Sequence, residues 1–507
     1  MSILDEIFAT LQREQQDGND LIGNYYATDK PADKVIEGPF VRATEIFPRV
    51  KKLIEETEKE LLICLYKFHN ESSSAKEILS GIKNLKKKAD KNYQKISVYI
   101  LIACAPIDES EWAAFNSDYF KVQFALQKPV LFGSTHTKII VRDAEESAIL
   151  TGDPTLEKCL DEQKSWTDLG TICKDPLLCE EMRNHFNRLW EGATGTSLPA
   201  LEMTKQTPEK TSGPATVLYL GKNPINRPYT GYHSPYKIAL LALLKEAQNN
   251  IQIIINNLND PDILNALLDC ANRGIKVSLT LGRYYGETAE CLPFAGCTNI
   301  ESVQFLLKKI EPTQHENLSL HWATKENALM QNHEENTTYA KIVMVDNTHI
   351  LTGSSLMDKQ SLRSGESDIL FESAEIAKKY KEKLFDHVFS RGHIAKKTDD
   401  PHTITRTKMI SLIEEASSIT DITHILSAFI LMREEEKQFQ TTQSRFSHVW
   451  KKTICLREEK IAVAKDLLAV VTGKNSQKTL GENPSLKEGL LGDIYKRFLS
   501  IIDKESE

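Results

Sequence analysis

The chain has 507 residues, with 63 basic against 71 acidic side chains and a net charge of −8. Apolar residues make up 40% and charged residues 26%, which excludes a disordered or fibrous chain and leaves room for about three domains. The acidic balance argues against a surface that tracks nucleic acid along its whole length, though not against a local basic groove.

The opening segment, MSILDEIFATLQREQQ, carries acidic residues at once and has no apolar core, so no Sec-type signal peptide is expected. Residues 1–35 read as a polar N-terminal extension. The longest apolar stretch, near Ile96–Pro106, falls short of the ~18–20 residues of a transmembrane helix. The nine cysteines show no C-x-x-C spacing, which predicts free thiols in a reducing compartment and no metal site.

In chain order, ATEIFPRVKKLIEETEK predicts a helix, with Ile46, Val50, Leu53 and Ile54 at helical spacing. ELLICLYKF predicts a strand, SSSAKEILSGIKNLKKKAD a capped helix, and KISVYILIACAP a buried strand. After a polar linker at 198–215, the same order returns. SPYKIALLALLKEAQ is a helix, NIQIIINNL a strand, DPDILNALLDCANRG a helix capped by Asp260 and ended by Gly274, and IKVSLTLG a strand. Such alternation predicts an α/β fold with sheets covered on both faces. Residues 396–507 show helical periodicity and no strand pattern, so they read as a helical C-terminal region.

A long-range repeat sharpens this division. THTKIIVRDAEESAILTGDP (135–154) resembles TYAKIVMVDNTHILTGSSL (338–356), pairing Lys138 with Lys341, Asp143 with Asp346 and Gly152 with Gly353. HFNRLWEG likewise matches LFDHVFSRG, pairing Trp190 with Phe389, both expected in the core. Two copies of one lobe follow, at 36–197 and 216–395.

His136-Thr-Lys138-x4-Asp143 fits H-x-K-x4-D. On a strand, His136 and Lys138 share a face. Asp168, in WTDLG, is the expected carboxylate that orients the His136 ring. Here the chain resembles the phospholipase D superfamily, over residues 40–392, and GSSLMDKQSL resembles that family's G-S-x-N-x-D-x-R-S-L run. The resemblance implies two phospholipase D-like lobes facing each other and metal-independent phosphodiester chemistry without a cofactor. His136 would be the nucleophile that becomes a phosphohistidine, and Lys138, Lys341 and Ser354 would hold phosphate.

The second copy departs from the pattern. Tyr339 stands where the resemblance implies a histidine, beside Lys341 and Asp346; Leu356 and Gln360 replace the family's asparagine and arginine. A tyrosine titrates ordinarily near 10, so it can donate a proton at neutral pH but matches the base step poorly. Three outcomes are open: turnover with Tyr339 or a substrate-side group in place of the missing histidine, a long-lived phosphohistidine, or a degenerate protein that binds a phosphorylated lipid or protein without turnover. Glu366 or Asp368 would orient Tyr339 or a lysine. His333 and His349 flank Tyr339 but read as a surface and a structural histidine.

Phospholipid is the expected substrate, ahead of nucleic acid, on the negative charge, the tandem lobes and the GSSLMDKQSL run. A monomer is expected, since both lobes lie in one chain. The lysine run at 83–91 reads as a solvated helix face. Amphipathic C-terminal helices suggest peripheral membrane contact as an alternative to packing. Residues from 407 on weakly resemble helical tails of effectors that bacteria inject into host cells, so a cytoplasmic or injected protein is expected.

Overall fold

The computed structural model describes residues 2–16, 25–104, 112–127, 134–155, 167–201, 213–224, 234–282, 298–323, 338–359 and 361–395, with parts of 413–506. His333, Gln360 and residues 202–212 of the linker lie outside the described residues.

The chain begins with α1 (Ile3–Gln16), β1 (Tyr25–Thr28) and the short α2 (Ala32–Val35). Lobe one then runs β2 (Ile36–Val41), α3 (Arg42–Glu55), β3 (Glu60–Lys67), α4 (Ser73–Asn92), β4 (Ile96–Cys104), β5 (Phe120–Leu126), β6 (Ile139–Arg142), β7 (Glu146–Leu150), β8 (Leu169–Cys173) and α5 (Pro176–Thr194). Lobe two runs β9 (Val217–Lys222), α6 (Pro235–Glu246), β10 (Asn250–Ile255), α7 (Pro261–Asn272), β11 (Lys276–Leu281), α8 (Asn299–Lys309), β12 (Leu318–Trp322), β13 (Ile342–Val345), β14 (His349–Gly353), β15 (Glu366–Glu372), α9 (Ala374–Tyr380) and β16 (His393–Ile394). The caps expected at Asp260 and ahead of α4 are in place: Asp260 accepts from Asp262 and Ile263 N–H, and Ser72 from Ala75 N–H.

The repeat is a repeat of topology. Sheet one has the order β2-β8-β7-β6-β3-β4-β5, and sheet two has the matching order β9-β15-β14-β13-β10-β11-β12, with β1 and β16 added at its edges. In each, the three-strand βαβ part is parallel and the rest antiparallel. The N-terminal segment is part of this arrangement, because β1 pairs with β9 along Tyr25–Thr28.

One apolar core joins the lobes. Ile139, Val141 and Ile149 of sheet one and Ile342, Met344 and Ile369 of sheet two pack with Met182, Phe186 and Trp190 of α5 and Tyr380 of α9. A second core, under α3 and α4, covers the other face of sheet one through Ile46, Val50, Ile78, Ile82, Ile63 and Ile100. Both sheet faces are thus covered, as the near-continuous apolar strands require. Described residues of the C-terminal part (within 398–507) form helices with their own core of Ile422, Leu426, Leu467, Ile494 and Phe498. No helix among the described residues is long and apolar enough to cross a membrane.

The motif aspartates turn out to be backbone anchors. Asp143 accepts N–H bonds from Glu58, Lys59 and Glu60 at 2.7–2.8 Å, fixing the start of β3 against the end of β6. Asp346 does the same for Gln248, Asn249 and Asn250. Both lie in left-handed turns (φ +52°), where a short polar side chain is tolerated. Seven residues of extended chain separate Asp143 from His136, about 20 Å, so these carboxylates hold the motif strands and do not reach the reacting end. Asp143→Ala is expected to lower stability by about 2 kcal/mol, read as a shift in the urea midpoint, because three backbone donors lose a charged acceptor. An unchanged midpoint would contradict this role.

Candidate active site

The motif strands begin by crossing between lobes. His136 N–H donates to Gly365 O at 2.7 Å and Gly365 N–H to Ser134 O at 2.8 Å. On the other side, Tyr339 N–H donates to Thr167 O at 2.7 Å. These two short bridges, Thr135 with Gly365 and Thr167 with Thr338, set His136 beside Glu366 and Tyr339 beside Asp168 along the chain.

This exchange corrects the sequence expectation for Asp168. His136 Nδ1 faces Glu366 Oε2 at 3.1 Å, so the orienting carboxylate comes from lobe two. Asp168 is instead held by the Thr151 hydroxyl, at 3.0 Å, within lobe one. The lobes correspond here residue by residue: Thr151 Oγ1 accepts from Leu169 N–H, as Ser354 Oγ accepts from Ser367 N–H, and each hydroxyl donates to its carboxylate. Structurally Thr151 therefore matches Ser354, both 203 residues apart like Lys138 and Lys341. The alignment of Gly152 with Gly353 slipped by two, because L-T-G recurs on either side of the true register. Ser354 is also corrected: buried, it holds Glu366 and is not open to phosphate.

Glu366 sits in a built cradle. It accepts from Ser354 Oγ, from Ser361 Oγ at 2.8 Å and faces the His136 ring, while 3% of its side chain is exposed. Burial alone would raise its pKa. The His136 ring and its hydrogen bond, with Lys138 and Lys222, more than offset that, and the carboxyl lies below its usual range. An ionised Glu366 only accepts, so Nδ1 carries the ring proton and Nε2 presents its lone pair. His136 itself is held below its ordinary pKa by burial, then by Lys138, against the raising effect of Glu366. The neutral, nucleophilic ring thus prevails at neutral pH.

Two buried lysines flank the ring. Lys138 Nζ donates to His136 O at 2.8 Å and pairs with Asp153 at 3.4 Å. Lys341 Nζ donates to Thr151 O at 2.7 Å, another cross-lobe contact, and lies 3.7 Å from the centre of the Tyr339 ring. Tyr339 is half-buried and follows directly on the Thr338 bridge. One residue here was missed in the sequence. Tyr66, at the end of β3, has its ring centre 5.1 Å from His136 and lies 5.6 Å from Lys138 Nζ. Its signal was its place at the carboxyl end of the strand beside the motif strand, where open α/β sheets gather ligand-facing residues. His349 lies at the other end of β14, against Thr348 and Glu372, and takes no part. Among the described residues no His, Cys, Asp and Glu cluster could hold a metal ion.

Residues 240–388 match the family described as "Cardiolipin synthase, PLD-like domain". No curated protein matches by sequence. Among solved structures, phosphatidylserine synthase from Haemophilus influenzae Rd KW20 aligns over 81% of this chain and 98% of its own, with TM-score 0.56 and 15% identity. Polyphosphate kinase from Porphyromonas gingivalis (69% of this chain, 46% of its own, TM-score 0.42, 11% identity) also aligns. So does the phospholipase D family member Nuc from Salmonella typhimurium (33% of this chain, 94% of its own, TM-score 0.25, 19% identity); at these scores neither adds weight. The fold is that of the phospholipase D superfamily. The residues that match the PLD-like domain, 240–388, lie in the lobe that carries Tyr339.

The cross-lobe pairing is testable without turnover. In an NMR titration, Glu366→Gln should lower the His136 pKa further, since the charge that raises it is gone. Asp168→Asn should move it less; an equal or larger shift from Asp168→Asn would overturn the pairing.

Proposed function

We propose that this chain is a phosphodiesterase acting on phospholipid, by hydrolysis or transfer of the phosphatidyl group, through a phosphohistidine at His136. The observation that carries it is the Glu366-oriented His136 between two buried lysines at the meeting of the lobes. Nε2 attacks phosphorus as the bond to the leaving oxygen breaks, and Lys138 and Lys341 offset the charge that builds on the other oxygens. The leaving oxygen takes the phenol proton of Tyr339. The phenolate, beside the Lys341 ammonium, then accepts a proton from water or an acceptor alcohol as that oxygen attacks phosphorus and frees Nε2.

Two surface features support a lipid over an oligonucleotide. A groove of about 440 Å³, lined by Leu79, Trp112, Ala114 and Phe115 with Lys83 at its side, is largely apolar. Trp112 packs on Phe68 and stacks on Phe124 of β5, so the groove lies over the face of sheet one that α4 covers. From Lys83 an exposed stripe continues along α4 through Lys87 and Lys91, one helical turn apart, while neighbouring Lys86 and Lys88 are engaged with Asp90 and the carbonyls of Glu55 and Thr57. Apolar groove and cationic stripe together suit an anionic lipid surface. A second reading, binding without turnover, rests on Tyr339 in the second motif.

Incubation with mixed phospholipids should release headgroup, with an acid-labile phosphoryl label on His136, and His136→Ala should lower turnover by about a thousandfold or more. Binding of intact lipid with neither label nor release would favour the second reading. The triple variant Lys83→Glu/Lys87→Glu/Lys91→Glu should lose salt-sensitive sedimentation with phosphatidylglycerol-containing vesicles while cleaving a short-chain soluble phospholipid normally. Undiminished vesicle binding would remove the stripe from the account.

A further inference from the structure

Glu366 is not the only buried carboxylate at this place. Asp368, two residues on along β15, points to the same face of the sheet, is 1% exposed and accepts from Ser355 N–H and Oγ at 3.0 and 2.6 Å. Two buried like charges so close cannot both persist without a counter-charge. In lobe one the position matching Asp368 is Gly170, since β8 and β15 correspond with Asp168 at Glu366. The crowding therefore belongs only to the carboxylate that serves the histidine.

The neighbouring strand supplies the cation. Lys222, the last residue of β9, is the register partner of Glu366, so the two side chains share a face. Lys222 is 3% exposed, and its ammonium donates to Ser361 O at 2.8 Å. The hydroxyl of the same Ser361 donates to Glu366 Oε1. One residue thus ties the ammonium and the carboxylate to a common anchor. Continuing the register of β2 with β8 puts Arg42 at the matching place in lobe one, with its N–H on Asp168 O at 3.0 Å. The register thus sets a basic residue opposite the carboxylate position in each lobe, while the Arg42 guanidinium lies against His387 Nε2 at 3.3 Å.

We propose that Lys222 is a positioning residue, which holds Glu366 as a carboxylate against the charge of Asp368 and so keeps the His136 ring turned with Nε2 free. The inference rests on the reading of His136 as nucleophile. The charged and titratable groups around this pair are His136 and Lys138 from lobe one, Lys222, Asp368, Tyr219, Tyr236, Asp358 and Arg363 from lobe two, with Lys341 acting on His136. Burial and the charge of Glu366 push Asp368 up to about 7, and burial pulls Lys222 down to about 8.

The test is a charge cycle. Lys222→Met leaves Glu366 beside Asp368 with only the Lys138 ammonium to offset the charge, so its pKa rises. The acid limb of the pH–rate profile should move up by about one unit, which is a drop of about tenfold in turnover at a fixed pH well down that limb. Asp368→Asn should move the limb the other way. The double variant should return toward wild type, and Lys222→Arg should hold the wild-type limb. The imidazole Nδ1 proton resonance reports the same event without turnover, and should persist to lower pH in the wild type than in Lys222→Met. A uniform loss of rate at every pH with an unmoved limb and resonance would reduce Lys222 to a structural role and overturn the proposal. If no substrate is turned over at all, the resonance still decides the matter: equal persistence in both proteins refutes it.

Discussion

The site depends on a short exchange of backbone hydrogen bonds between lobes. His136 bonds to Gly365 and Tyr339 to Thr167, and the first of these bridges brings the Glu366 carboxylate of lobe two to His136 of lobe one. The carboxylate that faces His136 therefore comes from the other lobe. This makes the shared apolar core, from Ile139 through Phe186 to Ile342 and Tyr380, a requirement of the chemistry as much as of stability. A shift of the lobes by one residue would part His136 from Glu366 and place Lys341 away from the Thr151 carbonyl.

Around that exchange the two lobes are similar in scaffold and different in charge. The hydroxyls Thr151 and Ser354, the lysines Lys138 and Lys341 and the anchors Asp143 and Asp346 obey the pseudo-symmetry. The motif positions do not: histidine in one lobe corresponds to tyrosine in the other, and Asp368 corresponds to Gly170. Symmetry of the backbone has been kept while the two halves differ, and on the proposed reading one serves nucleophilic attack and the other proton donation.

Much of the fold was legible in the sequence, because alternating amphipathic helices and apolar strands survive without tertiary context. The caps at Ser72 and Asp260 are local, and their side chains announce them. His136, Lys138, Lys341 and Tyr339 were equally legible, as their spacing is fixed by one strand. The partner of His136 was not. Asp168 is near in sequence and Glu366 is 230 residues away, and only the crossing of the lobes decides between them. Tyr66 and Lys222 were hidden for the same reason: each ends a strand whose neighbour comes from elsewhere in the chain. The slip at Gly152 shows the converse, where a recurring L-T-G outweighed a register that only the hydroxyl–carboxylate bonds reveal.

The most direct test of the account is the rate at which His136 becomes phosphorylated, followed by rapid quench with labelled phospholipid. The account predicts fast label on His136 in the wild type, a loss of about a hundredfold or more in Glu366→Gln, and label that forms but turns over slowly in Tyr339→Phe. Equal labelling rates in the wild type and Glu366→Gln would contradict it, since the carboxylate from the opposite lobe would then have no hold on the nucleophile.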